Sequence, residues 1–194
     1  MRTVIWDVDD VLNDITRRWL EDAWLPRHPR CRIDYGQLTE NPPHRLLGVD
    51  LQQYLRSLDA YRLSPQAARL APVPEVLAWF REHGDFCRHV ALTARPLRTA
   101  PAAAAWVFRH FGRWIRTFHF VPSPRLGQDL PDWERDKEDA LRWLGIGDVL
   151  IDDSLSNVAG ARRAGLAAVT LPRPWNGRSS SLGRALGRLS GLLQ

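Results

Sequence analysis

The sequence predicts an open, mostly parallel α/β sheet flanked by helices, and three observations carry that expectation. Five short apolar runs recur along the 194 residues, at 3–6, 89–92, 117–121, 149–151 and 167–171. Each is nearly continuous and rich in β-branched or aromatic side chains, as strands covered on both faces are. Helical patterns alternate with these runs, so successive strands are joined by crossovers rather than by hairpins.

The first run ends against three aspartates, Asp7, Asp9 and Asp10. Residues 14–25 then read as a helix, followed by a loop-rich stretch with Pro26, Pro29 and Asn41-Pro42-Pro43 and a second helical pattern over 51–58. About 80 residues separate the first two strands, where a βαβ unit needs only about 30 in all. The surplus predicts a small, mainly helical cap inserted after strand one. Trp19, Trp24, Leu46, Leu47, Tyr54 and Leu55 give it buriable surface, which argues against a disordered loop.

Pro74 opens a helix that Gly84 stops, and residues 102–115 carry Trp106, Phe111 and Trp114 at helical spacing. A further helix over 134–144 ends at Gly145, and Ser154 is the N-cap of one that ends before Gly165. After the flexible 177–181 segment, Leu182, Leu186, Leu189 and Leu193 share one helical face beside Arg184 and Arg188. A helix docked on its own domain explains this face; a dimer contact or an anionic surface is the sharper alternative. The expected organisation is a core of residues 1–13 and 85–176, joined through helix 74–84 to a cap of residues 14–73, with 177–194 as an amphipathic tail.

Net charge is +5 and the isoelectric point about 10.0. That permits attraction to small phosphorylated ligands or polyanions. The basic residues are spread along the chain, with local pairs at Arg17-Arg18 and Arg162-Arg163, so a nucleic-acid stripe is not expected. Cys31 and Cys87 read as reduced thiols, and the six histidines lack metal-ligand spacing, which argues against zinc. With neither a leader pattern nor an apolar run of spanning length, the expected location is cytoplasmic and not membrane-bound.

Chemistry-bearing residues stand at the ends of three apolar runs. Asp7 follows the first, Thr93 the second and Asp152-Asp153 the fourth, and parallel strands bring their carboxyl ends to one edge, where ligands bind. Lys137, the single lysine beside 26 arginines, precedes the fourth run by one helix and can reach the same edge. A compact ammonium in a chain that otherwise uses guanidinium suggests a site that wants a point charge. Carboxylates converging beside one ammonium and one hydroxyl are costly without a cation and an anionic guest, and hard oxygen ligands suit Mg²⁺. Duller readings stand beside each residue. Asp9, Asp10 and Asp14 could start a helix, Thr93 could end a strand, and Asp153 could cap the helix after it. Arg95 either clamps a phosphate or pairs with a surface carboxylate, and Asn157 reads as a polar position on a helix face.

Taken together, these motifs resemble the haloacid dehalogenase-like (HAD) phosphohydrolases. Asp7-Val8-Asp9-Asp10-Val11-Leu12 is similar to their first motif, Val90-Ala91-Leu92-Thr93 to the second, Lys137 to the third and Asp152-Asp153 to the fourth, in the same order. The likeness covers roughly residues 1–14 and 74–175 and implies a Rossmann-like core with the cap after strand one. Leu92-Thr93-Ala94-Arg95-Pro96, Leu150-Ile151-Asp152-Asp153-Ser154 and Arg173-Pro174-Trp175-Asn176 further resemble the 5'-nucleotidase and deoxyribonucleotidase-like branch, in which the position of Asp10 is often Gly. The resemblance implies that Asp7 attacks phosphorus to form an aspartyl-phosphate, that Asp9 is the general acid and base, and that Thr93 with nearby backbone N–H groups and Lys137 hold the phosphate, with Ala94 and Arg95 as further candidate contacts. It implies Mg²⁺ held by Asp7, the Asp9 carbonyl and Asp152, with Asp153 acting through the ion's water shell. The expected activity is a phosphomonoester hydrolase acting on a small phosphorylated substrate such as a nucleoside monophosphate. Phosphatases of sugar phosphates or nucleic-acid ends, and a catalytically silent binding domain, are the competing readings.

Overall fold

The computed structural model describes residues 1–131 and 133–194. Five parallel strands form one sheet: β1 (Thr3–Trp6), β2 (Arg88–Arg95), β3 (Ile115–Pro122), β4 (Val149–Asp152) and β5 (Ala167–Thr170), in the spatial order β3-β2-β1-β4-β5. The order reverses at β1, which pairs with β2 on one side and β4 on the other. Such a switch point leaves a crevice at the carboxyl ends of the central strands.

Side-chain alternation divides the core into two layers. Val4, Trp6, Val149, Ile151 and Val169 belong to one apolar cluster, and Ile5, Val90, Leu92, Leu150 and Ala168 to the other. The first layer is covered by α5 (Pro74–His83), α6 (Ala100–Phe111) and α9 (Leu182–Leu193), which contribute Phe80, Phe111 and Leu189. The second is covered by α7 (Lys137–Leu144) and α8 (Leu155–Arg163), through Leu141 and Val158. Burial on both faces is why the inner strands β1, β2 and β4 read as continuous apolar runs.

Among the boundaries that differ from the sequence expectation, three have a direct physical cause. β2 runs on to Arg95 because Thr93, Ala94 and Arg95 pair with Phe120, Val121 and Pro122 of β3. The helix expected over 102–115 stops at Phe111, since Ile115 already pairs with His89 in the sheet. α7 begins at Lys137 rather than at 134, because Asp136 accepts a hydrogen bond from the Asp139 N–H as its N-cap.

Between β1 and β2 the chain is helical. α1 (Ile15–Trp19), a π-helical stretch (Leu20–Trp24) and α2 (Leu25–Arg27) run on without a break, and α3 (Leu51–Arg62) and α4 (Pro65–Ala68) follow. The segment leaves and rejoins the core side by side, through an antiparallel bridge of Asn13 with Pro72 and the Val73 N–H on the Leu12 carbonyl. Trp19, Trp24, Tyr54 and Leu58 are buried in the same cluster as Val8 and Leu12, while Leu46 is left exposed. The tail helix docks on its own domain: Leu186 and Leu189 are buried, and Trp79 Nε1 donates to Ser190 Oγ at 2.9 Å. Among the described residues no helix is long and apolar enough to cross a membrane.

One core contact carries a pH signature. Trp6 Nε1 donates to His89 Nδ1 at 3.0 Å, so the ring proton sits on Nε2 and meets the Gly84 carbonyl at 2.9 Å. Burial holds this imidazole below its ordinary pKa. The unfolded chain takes up a proton below about pH 6.5 while the folded one resists. The contact's stability is therefore present above that pH and lost as pH falls through it. The urea midpoint of the wild type is expected to drop more steeply below about pH 6.5 than that of His89→Gln, whose amide satisfies both partners without titrating. Equal slopes would refute the assignment.

Candidate active site

A cavity of about 160 Å³ opens at the carboxyl ends of β1, β2 and β4. Asp7 follows β1 directly, and its backbone N–H donates to the Ile151 carbonyl at 2.9 Å, which ties the residue to the neighbouring strand. The chain then turns at Asp10, which has a left-handed φ of 60°. That conformation favours glycine. Asp10 holds it by accepting hydrogen bonds from the Thr16 N–H and hydroxyl, while Arg173 Nε donates to the Asp10 carbonyl at 2.6 Å.

Lys137, only 2% exposed, places its Nζ 2.7 Å from both Asp7 Oδ1 and Asp152 Oδ2. Burial alone would pull the ammonium down, but Asp152 and Asp7 more than offset this and hold its pKa above the usual lysine range. The carboxylates are in the opposite position. Burial, with Asp152 adding repulsion, pushes Asp7 up to about 7, against which Lys137 acts. Asp153 is driven well up by burial and by Asp152 and Asp7, and Asp10 rises to about 6, again chiefly through burial. One ammonium does not balance this many buried carboxylates. Oxygens of Asp7, Asp152 and Asp153 lie within 4.8 Å of one another, so the donor set and its charge excess fit a hard divalent cation.

The residues expected to hold a phosphate divide. Thr93 and Ala94 line the cavity, and the Thr93 hydroxyl is buried with no hydrogen-bond partner among the described residues. Such a group costs free energy until a guest pairs with it. Arg95 does not line the cavity; its guanidinium is buried against the carboxylate of Asp9. Asp9 also takes Arg62 Nη2 at 2.8 Å. Burial would raise the Asp9 pKa, yet the Arg95 and Arg62 guanidiniums hold it below the ordinary carboxylate range.

Several participants were not expected from the sequence. Arg62, at the end of α3, reaches the cavity with Tyr54, Leu58 and Asn41. It is steadied by the fully buried Asp59, to which Arg62 Nη1 donates at 3.0 Å and on which Arg125 forms a two-pronged pair at 2.7 and 3.0 Å. Asn157 is no plain helix-face residue, since its amide donates to both Asp152 oxygens at 3.1 Å. Trp175 Nε1 donates to Asp153 Oδ2 at 2.7 Å, and the Asn176 amide donates to the Asp153 carbonyl at 2.9 Å. The late Arg173-Pro174-Trp175-Asn176 stretch thus clamps the Asp10 carbonyl and both the side chain and the carbonyl of Asp153. A larger depression, about 580 Å³, lies at the amino ends of the strands near Thr3 and Arg88, and no comparable group of carboxylates converges there.

No protein-family model and no curated protein sequence matches the chain. Solved structures do. A haloacid dehalogenase-like family hydrolase from Streptococcus pneumoniae superposes with a TM-score of 0.65 at 12% identity, covering 100% of this chain and 99% of that one. A predicted phosphatase from Clostridium acetobutylicum gives 0.59 at 16% identity over 95% and 90%, and a 2-haloacid dehalogenase from Pseudomonas syringae 0.51 at 17% over 100% and 98%. The chain therefore has the HAD fold. Because the names of these proteins span different reactions, the choice of reaction falls to the residues of the site.

Proposed function

We propose that the protein is a Mg²⁺-dependent phosphomonoester hydrolase that works through an aspartyl-phosphate on Asp7. The observation that carries this reading is the Asp7–Lys137–Asp152 ion triad, which opens on a cavity shared with the unpartnered Thr93 hydroxyl. Asp7 supplies the attacking oxygen, and Thr93 with the Lys137 ammonium holds phosphoryl oxygens as charge builds on them. A divalent cation at Asp7 and its neighbours would add charge neutralisation there.

The hydrogen bonds favour one change to the ligand set implied by resemblance. Asp152 Oδ1 accepts from the Ser154 N–H at 2.8 Å and from Asn157, and Oδ2 from Lys137 and Asn157, so both oxygens are occupied. Asp153 gives only Oδ2 to Trp175. Asp153, with Asp7 and the Asp9 carbonyl, is then the better direct ligand, and Asp152 is the anchor that aims Lys137 and completes the site at one remove. Purified protein is expected to release phosphate from an aryl phosphate only with Mg²⁺ or a similar divalent cation. Full activity in excess chelator would sink the metal assignment.

Residues 14–73 are read as a cap over a core of residues 1–13 and 85–176, with helix 74–84 as the joint and 177–194 as a docked tail. Support comes from Asn41, Tyr54, Leu58 and Arg62, which all reach the cavity. Arg18 and Trp19 do not line it. A nucleoside monophosphate is one candidate substrate. The cavity, at about 160 Å³, is below the roughly 300–1,000 Å³ typical of drug-sized ligands. It suits a compact ester, such as a small sugar phosphate, better than a nucleotide. A panel of phosphomonoesters compared by kcat/KM tests this directly, and strong preference for nucleotides would reverse it.

Asp9 is the proton donor to the leaving oxygen in this reading, and a donor must be protonated. The two guanidiniums oppose that. Arg62→Gln removes one of them, so the Asp9 pKa should rise and the alkaline fall of the kcat/KM profile should move to higher pH. An unmoved limb would remove Asp9 from the acid role or Arg62 from its control.

A further inference from the structure

The positive charge of this chain is concentrated. Residues 154–194 contain six arginines and no acidic residue, whereas residues 1–153 contain 21 basic and 22 acidic residues. The last 41 residues therefore carry +6 and the rest of the chain −1, a segregation that the even spread of arginines along the chain conceals.

The fold gathers this charge in one place. Arg162, Arg178, Arg184 and Arg188 line a cavity of about 150 Å³ beside β5, an edge strand of the sheet, together with Thr170 and Ser180. The other two arginines of the segment are spoken for, Arg163 by Glu138 and Arg173 by Asp14. Among the described residues, none of the four lining arginines has a carboxylate within ion-pair distance. Arg162 donates only to the Ala168 carbonyl, at 3.3 Å. The first turn of α9, capped by Ser181, also lacks an acidic residue, so the helix dipole adds to the same field. Four guanidiniums drawn together without counter-charge favour an anionic guest, and their forked donors match phosphate oxygens.

The surroundings select the kind of guest. The apolar face of α9 is already buried through Ala185, Leu186 and Leu189, so the helix has no face left to insert into a lipid surface. A bounded cavity with hydroxyls at its rim suits one or two phosphate groups better than the extended stripe that tracks a nucleic-acid backbone. We propose that this cavity binds a compact diphosphate anion or the diphosphate moiety of a small ligand. The site is separate from the hydrolytic cavity, with which it shares no lining residue.

The test is calorimetric titration of the full chain with inorganic pyrophosphate, in low salt and without divalent cation, comparing wild type with Arg184→Glu/Arg188→Glu. The double reversal is expected to weaken pyrophosphate binding by at least about tenfold, since two charge-assisted contacts are lost and repulsion replaces them. Hydrolysis of an aryl phosphate should be unchanged, because neither arginine belongs to the hydrolytic cavity, and this activity also reports an intact fold. Should the double variant fail to fold, Arg178→Glu in the loop before α9 carries the same comparison. Pyrophosphate seated in the hydrolytic cavity would survive the reversal, so unchanged affinity overturns the proposal, as does absence of binding at millimolar concentration. Tighter, reversal-sensitive capture of duplex RNA or phosphatidylserine vesicles would overturn it in favour of a macromolecular surface. The readout is binding rather than turnover, so its failure is distinguishable from failure of the hydrolase reading.

Discussion

Asp7→Asn is expected to abolish phosphate release, by about 10⁴-fold or more, because the amide cannot attack phosphorus and loss of a nucleophile removes the whole covalent route. The fold should survive. Asn is isosteric with Asp, its carbonyl can still accept from Lys137, and the substitution removes a charge that burial and Asp152 already disfavour. The sign follows from linkage. A carboxyl whose folded pKa is raised to about 7 from an ordinary value of 3.8 costs stability that grows as pH rises between those values and is fully present above the higher one, so the melting temperature of the variant near pH 8 should equal or exceed that of the wild type. Near-wild-type turnover, or a variant that is inactive only because it is unfolded, would contradict the nucleophile assignment.

Lys137→Arg is the second large effect. The change keeps the charge and follows the chain's own preference for arginine, so a solvent-facing lysine would tolerate it. Lys137 is instead 2% exposed, with its Nζ fixed 2.7 Å from two carboxylates. A planar, bulkier guanidinium cannot occupy that position without shifting Asp7, and a displacement of about 1 Å can cost on the order of a hundredfold in rate. Burial also makes the change costly to the fold, by about 1–3 kcal/mol of overpacking. Both losses are expected together, measured as kcat and as a urea midpoint. Unchanged values of both would make the lone lysine an accident of composition.

The core of the site was legible because parallel strands have fixed consequences. Apolar runs buried on both faces end at one sheet edge, so Asp7, Thr93, Asp152 and Asp153 could be brought together from their places after those runs. Lys137 was legible by its rarity. What stayed hidden depends on contacts without a local pattern. Arg62 is one of 26 arginines, and nothing in its neighbours distinguishes it; only the packing of α3 over the edge takes it to Asp9. The pairing of Asp59 with Arg125 spans 66 residues and that of Arg173 with the Asp10 carbonyl 163, with no register to predict either. Arg95 could be narrowed to two roles, and pairing with a carboxylate is the one observed, although that carboxylate is Asp9 within the site rather than one on the surface. The departure from Gly at position 10 has a physical account as well. The left-handed turn remains, and Asp10 supports it through Thr16.

A covalent phosphoryl group on Asp7 can be trapped chemically during turnover. Wild-type protein turning over an aryl phosphate with Mg²⁺ is quenched in acid and reduced with borohydride, which converts an acyl phosphate to the alcohol. Peptide mass spectrometry should then find homoserine in place of Asp7, dependent on substrate and absent from Asp7→Asn. An enzyme that hydrolyses its substrate rapidly yet leaves Asp7 unreduced, or carries the adduct on another residue, would contradict the account.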